Sequence, residues 1–148
     1  MGELAVARDD GLLRTLLGSC IGLALYDQRT KVGGLAHIVL PKSRDGTSNP
    51  PGKFVDTAIP ALCQEMERCA GGTIRPQARI AGGANMFATA VTETIGKQNI
   101  EAAERLLEEL RIPIAGRHCG GGHGRRVSLD TSTGIVTIEV VGCESVRI

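Results

Sequence analysis

The sequence predicts an α/β fold: one layered sandwich of mostly antiparallel or mixed β-sheet with flanking helices, spanning residues 1–148 as one domain. Three observations predict it. Short aliphatic runs bounded by turn residues outnumber helical patterns. Two pairs of these runs are joined by polar turns, Asp27-Gln28-Arg29-Thr30-Lys31 and Asp130-Thr131-Ser132-Thr133-Gly134. Only two segments carry apolar residues at helical spacing. A doubly wound parallel sheet would alternate strand and helix, and this chain does not.

Taken in order, Leu4 to Ala7 reads as a strand, Asp9-Asp10-Gly11 as a turn, and Leu12 to Leu17 as a second strand. Cys20 to Tyr26 and Val32 to Leu40 read as a hairpin. Pairing Tyr26 with Val32 sets Cys20 against Ile38. A one-residue bulge at Gly33-Gly34 then brings Cys20 opposite His37. Ser43 to Gly52 is rich in Ser, Gly, Pro and Asn and reads as a mobile loop bordering that site. Phe54, Val55, Ala58, Ile59, Leu62 and Met66 predict a helix ended by Gly71-Gly72. Pro60 demands either a kink or a restart with Pro60 in the first turn. Gln77 to Ala81 is a strand. Ile100 to Leu110 is the clearest helix, with Asn99 as N-cap. Ile112 to Ala115 is an edge strand by virtue of Pro113. Arg126 to Leu129 and Ile135 to Val141 form a second hairpin.

Composition narrows the function. There are 17 basic and 16 acidic residues, a formal charge of +1, and no basic run interleaved with aromatics, so nucleic acid is not an expected partner. Aromatics are scarce (Tyr26, Phe54 and Phe87), so the core is aliphatic. The early charges Glu3, Arg8, Asp9 and Asp10 do not suit a secretory signal, and no apolar run reaches membrane-spanning length. Five cysteines without a secreted scaffold's density suggest reduced thiols in a cytoplasmic protein.

A thiol beside an imidazole is the minimum apparatus for a cysteine nucleophile with its general base, and Cys20 with His37 supplies it. Gly18 and Ser19 allow a tight turn whose backbone N–H groups can form an oxyanion hole. A neighbouring imidazolium would lower the thiol pKa and supply thiolate. Cys63, Cys69 and Cys143 are expected to be hidden in apolar settings. The competing readings are a buried structural cysteine and a satisfied strand histidine. Gly82-Gly83 and Gly120-Gly121-Gly122 lack the spacing and lysine of a phosphate loop. His118, Cys119 and His123 offer a loose zinc pattern without a C-x2-C pair, and no metal is expected.

Leu17-Gly18-Ser19-Cys20, then Gly33-Gly34-Leu35-Ala36-His37 and Leu40-Pro41, closely resemble the chemoreceptor glutamine deamidase family, CheD. Met1-Gly2-Glu3-Leu4-Ala5-Val6, Gly82-Gly83-Ala84-Asn85-Met86-Phe87, Ile95-Gly96 with Asn99, and Gly120-Gly121 with Gly124-Arg125 continue the resemblance in the family's order. It covers almost the whole chain. The family usually has several residues before the Gly-Glu-Leu segment, so a short N-terminal strand is expected to be clipped or missing.

The resemblance implies a Cys20–His37–Thr15 triad that hydrolyses glutamine carboxamides of chemoreceptors, without metal or cofactor. Thr15 would orient His37. Its odd separation from Cys20 sets it on the opposite strand face unless the Gly18-Ser19 kink corrects this. In some relatives the threonine lies where this chain has Arg14. The family's pattern has Asp where this chain has His118. Implied partners are the cytoplasmic segments of chemoreceptors and a CheC-type phosphatase. The alternatives are transglutamination on the same thioester and a regulatory binding module that docks on that phosphatase. Met86 and Phe87 are candidates for such contacts, although core packing is the expected role of Phe87.

Overall fold

The computed structural model describes residues 1–87 and 93–148. Its strands are β1 (Leu4–Arg8), β2 (Leu12–Leu17), β3 (Ile21–Asp27), β4 (Val32–Ile38), β5 (Gln77–Gly82), β6 (Ile114–Cys119), β7 (Arg125–Asp130), β8 (Ile135–Glu139) and β9 (Val146–Arg147). Its helices are α1 (Val55–Ala70) and α2 (Ile95–Glu109), with a 3-10 turn at Pro51–Lys53 ahead of α1. One sheet has the order β1-β4-β3-β5-β6 and the other β2-β7-β8-β9. All neighbours are antiparallel except β5 and β6, the pair that α2 connects. The expected layered α/β sandwich is therefore present, with the five-stranded sheet in the middle layer.

Residue alternation explains the layering. On the helix face of the central sheet, Ile21, Leu23 and Leu25 of β3 and Val32, Ala36 and Ile38 of β4 pack with Ala58, Ile59, Leu62 and Met66 of α1 and Leu107 of α2. On the other face, Ala24 and Leu35 pack with Leu17, Val127, Leu129 and Ile138 of the second sheet. β3 is buried along its whole length because it is covered on both sides. β4 admits both layers through Gly33 and Gly34. A Cβ at Gly33 would sit 2.9 Å from Leu129, and one at Gly34 would sit 2.6 Å from Leu62 and 3.0 Å from Met66.

Several expectations need correction. Asp27, not Tyr26, pairs with Val32, and the β3–β4 register runs without a bulge. The turn is closed by the Asp27 carboxylate, which accepts from Thr30 Oγ1 (2.8 Å) and Arg29 N (3.3 Å). Lengthening β3 by that one residue removes the need for a bulge. α1 is continuous through Pro60, which lies in its second turn rather than its first. A proline there forfeits one i→i−4 bond, and its ring is exposed. Gly71 ends the helix in the left-handed region (φ 75°) as expected.

The second helix starts five residues before Ile100. Thr94 caps it by accepting from Lys97 N at 3.1 Å. Asn99 is not a cap. It is wholly buried within α2 and donates from Nδ2 to the Val39 carbonyl at 2.9 Å, tying the helix to the end of β4. β6 begins after Pro113 and runs through Cys119; it is the edge strand of its sheet, as expected. Phe87 is 83% exposed, so it is not core. The Ser43–Gly52 loop is anchored: Ser43 donates to the Asp56 carboxylate from N (2.9 Å) and Oγ (2.7 Å).

The two sheets are also tied at Thr131, which is fully buried. Its Oγ1 accepts from Gly11 N at 2.8 Å, and its carbonyl accepts from Tyr26 Oη at 2.9 Å. Thr131→Val keeps the shape but leaves the Gly11 N–H without that acceptor. Denaturant unfolding should show a loss of about 1–3 kcal/mol. A loss near zero would mean that water replaces the hydroxyl.

Candidate active site

β2 ends at Leu17 in the outer sheet, and β3 begins at Ile21 in the central sheet. Gly18, Ser19 and Cys20 make the crossing as a sequence of bends. Cys20 thus belongs to neither β2 nor its alternation. Its side chain is buried in the layer between the sheets, with Leu17, Ala24 and Leu35.

His37 reaches the same layer by strand geometry. It pairs with Gly22 of β3, so it shares a sheet face with Gly22 and with the position two residues earlier, Cys20. The relation is diagonal rather than directly opposite. Gly22 leaves its space to Leu17, whose side chain lies 2.8 Å from where a Cβ would sit. The other side of His37 is fixed by the segment before β1: His37 N donates to the Glu3 carbonyl at 3.0 Å, and Gly2 N donates to the His37 carbonyl at 2.8 Å.

Thr15 faces inward from the outer sheet, and its Oγ1 lies 2.7 Å from His37 Nδ1. Strand parity does not forbid this, because Thr15 and Cys20 lie in different sheets. The crossing at Gly18–Cys20 replaces the single-strand geometry on which that objection depends. The structure therefore unites Thr15, His37 and Cys20 in one layer.

Burial sets the protonation states. It pushes the Cys20 thiol up, against smaller lowering by the amino terminus and by the backbone N–H of Cys20. Burial also holds the His37 ring below the ordinary histidine value; the amino terminus acts in the same sense and Glu3 against it. Both shifts favour the uncharged forms, against the expected thiolate–imidazolium pair. Cys143 is not hidden but exposed, while Cys63 and Cys69 are half-buried.

Thr15 and His37 line one cavity, and a second, which none of Thr15, His37 and Cys20 lines, opens on the turn before Cys20. The first, a small one of about 80 Å³, is lined by Glu3, Leu13, Arg14, Thr15, Leu35 and His37, among others. The second, a larger one of about 790 Å³, opens beside Leu16, Leu17 and Gly18, with Met86, Gly124 and Arg125 in its walls. No residue of the Ser43–Gly52 loop lines either cavity, but its end, at Pro50 and Gly52, lies against Gly2, whose N–H donates to the His37 carbonyl. A third cavity of about 850 Å³, between the ends of α1 and α2 and the start of β5, contains none of the cluster residues.

Two contributors escaped the sequence reading. Gly82 (φ 100°) has no room for a Cβ, because the Cys20 carbonyl lies against its backbone. Arg125 is 6% exposed and spends its guanidinium on the loop after β6. That loop contains the loose zinc pattern. His118 meets Arg125, whereas Cys119 turns to the helix side and donates to the Ile80 carbonyl at 3.4 Å. Among the described residues, no three His, Cys, Asp or Glu side chains are grouped to hold a metal ion.

A small sandwich with a cysteine, a histidine and a threonine converging between its two sheets defines a class of candidate thiol enzymes. The comparisons narrow it to a family. Residues 39–140 match the family model described as CheD chemotactic sensory transduction. A protein of Methanococcus vannielii is 42% identical over 139 residues, covering 93% of this chain and 90% of its own. One of Clostridium botulinum is 43% identical over 150 residues, covering 96% and 91%. One of Thermococcus kodakarensis is 40% identical over 145 residues, covering 95% and 90%. All three are named "Probable chemoreceptor glutamine deamidase CheD". The chain belongs to the CheD family.

Both shifts are directly measurable. The His37 ring should titrate by NMR with a midpoint below about 6.5, and Cys20 alkylation should rise with a midpoint above about 8.5. Because its folded pKa is depressed, His37 remains an unprotonated base to lower pH than a free histidine. A histidine midpoint above the free value would instead indicate an ion pair at rest.

Proposed function

We propose that this chain is a protein-glutamine deamidase of chemotaxis, an amidohydrolase that converts glutamine side chains of chemoreceptors to glutamate with release of ammonia. The observation that carries the reading is the 2.7 Å hydrogen bond between Thr15 and His37, on a ring that shares its layer with Cys20. Family membership and the names of the relatives support the substrate class. Among the described residues no helix is long and apolar enough to cross a membrane. We assign the protein to the cytoplasm because its proposed substrates are the cytoplasmic segments of receptors.

In this reading Nδ1–H of His37 donates to Thr15 Oγ1, which fixes the tautomer and leaves Nε2 as base. Substrate binding excludes water from the thiol and ring. Cys20 Sγ attacks the carboxamide carbon while its proton passes to His37, because a buried thiol does not ionise in advance. The carbonyl oxygen becomes an oxyanion held by backbone N–H groups of the Gly18-Ser19-Cys20 turn. His37 then gives its proton to the amide nitrogen, the C–N bond breaks, and ammonia leaves a thioester. Water attacks the thioester as His37 takes one of its protons. The C–S bond breaks, the sulfur recovers that proton, and glutamate remains.

The larger cavity beside Gly18 is the substrate seat in this reading. Leu16, Met86 and Phe87 are exposed at 67%, 46% and 83% and supply apolar contact for an incoming segment. A CheC-type phosphatase would dock on the same exposed side.

His37→Ala should cut deamidation by about 10²–10⁴-fold, since one ring handles every proton transfer. Thr15→Ala should cut it by about tenfold to a hundredfold, as expected for lost orientation. Full activity in Thr15→Ala would remove Thr15 from the site.

Cys20→Ala should bind a receptor fragment in pull-down yet release no ammonia, with no mass change in the fragment. Conversion by Cys20→Ala would eliminate Cys20 as nucleophile. Binding without conversion by the wild type would leave a binding module.

A further inference from the structure

We propose that Arg125 is a positioning residue for deamidation: its buried guanidinium clamps the loop at 118–124 and, through a closed ring of hydrogen bonds, fixes the turn that presents Cys20. The inference rests on Cys20 being the nucleophile.

Arg125 Nη1 donates to His118 Nδ1 at 2.8 Å and to the His118 carbonyl at 2.5 Å. Nη2 donates to the carbonyls of Gly120 and His123. A guanidinium has no acceptor, so His118 Nδ1 is the accepting nitrogen in this contact. No carboxylate is among these acceptors. A buried cation is costly, and here its two Nη groups donate to one loop rather than to a carboxylate, while Nε has no partner among the described residues. That loop includes Gly120-Gly121-Gly122, with Gly120 at φ 78° and Gly121 at φ 73°. Three glycines in succession have little conformational preference of their own, so the clamp supplies their order.

The loop does not end the chain of contacts. Gly120 N donates to the Gly82 carbonyl at 2.9 Å, and Asn85 N donates to the Gly121 carbonyl at 2.8 Å. From the same 82–85 segment, Gly83 N donates to the Cys20 carbonyl at 2.9 Å and Ala84 N to the Gly18 carbonyl at 3.0 Å. Arg125 itself pairs in the outer sheet with Leu17, the residue before Gly18. The backbone of Arg125 thus holds one end of the nucleophile turn, and its side chain holds the loops stacked against the rest of it. The ring closes on a single residue. A planar fork reaches several carbonyls at once; a lysine ammonium is a point charge on a flexible stem and cannot reproduce it.

The test compares two reactions at the same sulfur in the full chain. Ammonia release from a glutamine-containing receptor fragment needs the oxyanion donors; alkylation of Cys20 by iodoacetamide, read by peptide mapping, does not. In Arg125→Lys, kcat should fall about tenfold or more, with the Cys20 alkylation rate within about twofold of wild type. An unchanged kcat, or parallel losses in kcat and alkylation, overturns the proposal. If Arg125→Lys does not fold, two His118 variants decide. His118→Gln keeps a neutral acceptor, whereas His118→Lys sets a second cation against the guanidinium. A much larger kcat loss in His118→Lys, with alkylation preserved, supports the clamp; equal kcat in the two overturns it. A wild type that releases no ammonia fails the deamidase reading and the inference with it. An active wild type beside an unaffected Arg125→Lys overturns the inference alone.

Discussion

The burial of β4 on both faces is the constraint on which the rest depends. A strand covered by helices on one side and a second sheet on the other must send alternate residues into two different layers. Val32, Ala36 and Ile38 go to the helices, while Leu35 and His37 go to the space between the sheets. Gly33 and Gly34 allow both layers to come close. A one-residue slip would carry His37 into the aliphatic helix layer and Ile38 to Thr15. Hydrophobic burial thereby fixes the register, and the register fixes which layer receives the imidazole.

That layer also determines the chemistry. Burial opposes charge on either member of a thiol–imidazole pair, raising one pKa and lowering the other. Both shifts favour the uncharged forms. In the proposed reaction, proton transfer and sulfur attack therefore occur together, and a neutral hydroxyl is enough to orient the base. A carboxylate at the position of Thr15 would pull the ring toward its charged form. Thr15 supplies direction without that bias.

Much of this was legible in the sequence because period-two and period-3.6 patterns are local. β2 has the predicted ends, the second hairpin differs from prediction by one or two residues, and α1 ends at the predicted glycine. Cys20 and His37 were legible because both fall near the end of one hairpin. What failed were inferences carried across a tertiary change. Strand parity between Thr15 and Cys20 lapses where the chain leaves one sheet for the other. Asn99 has an N-cap's composition, but a partner sixty residues away, the Val39 carbonyl, holds it inside the helix. Phe87 resembles core by type, yet it is 83% exposed. Each outcome depends on tertiary placement that a local preference does not report.

Arg125 illustrates the same limit at the site. Nothing in Gly124-Arg125 distinguishes a buried arginine from a surface one, and strands often start with a basic residue. Its role depends on where four other segments meet: the end of β6, the glycine loop, residues 82–85 and the Gly18–Cys20 turn. The last three contain glycine, which permits close stacking but leaves the backbone poorly specified. Helices and sheets specify their own geometry through repeated hydrogen bonds, whereas stacked loops need an external reference. A rigid, multiply donating side chain rooted in a strand provides one. In the proposed arrangement the order of the Gly18–Cys20 turn is inherited from the outer sheet through β2 and through Arg125 of β7. This explains why a site formed largely by backbone groups is placed where two sheets meet.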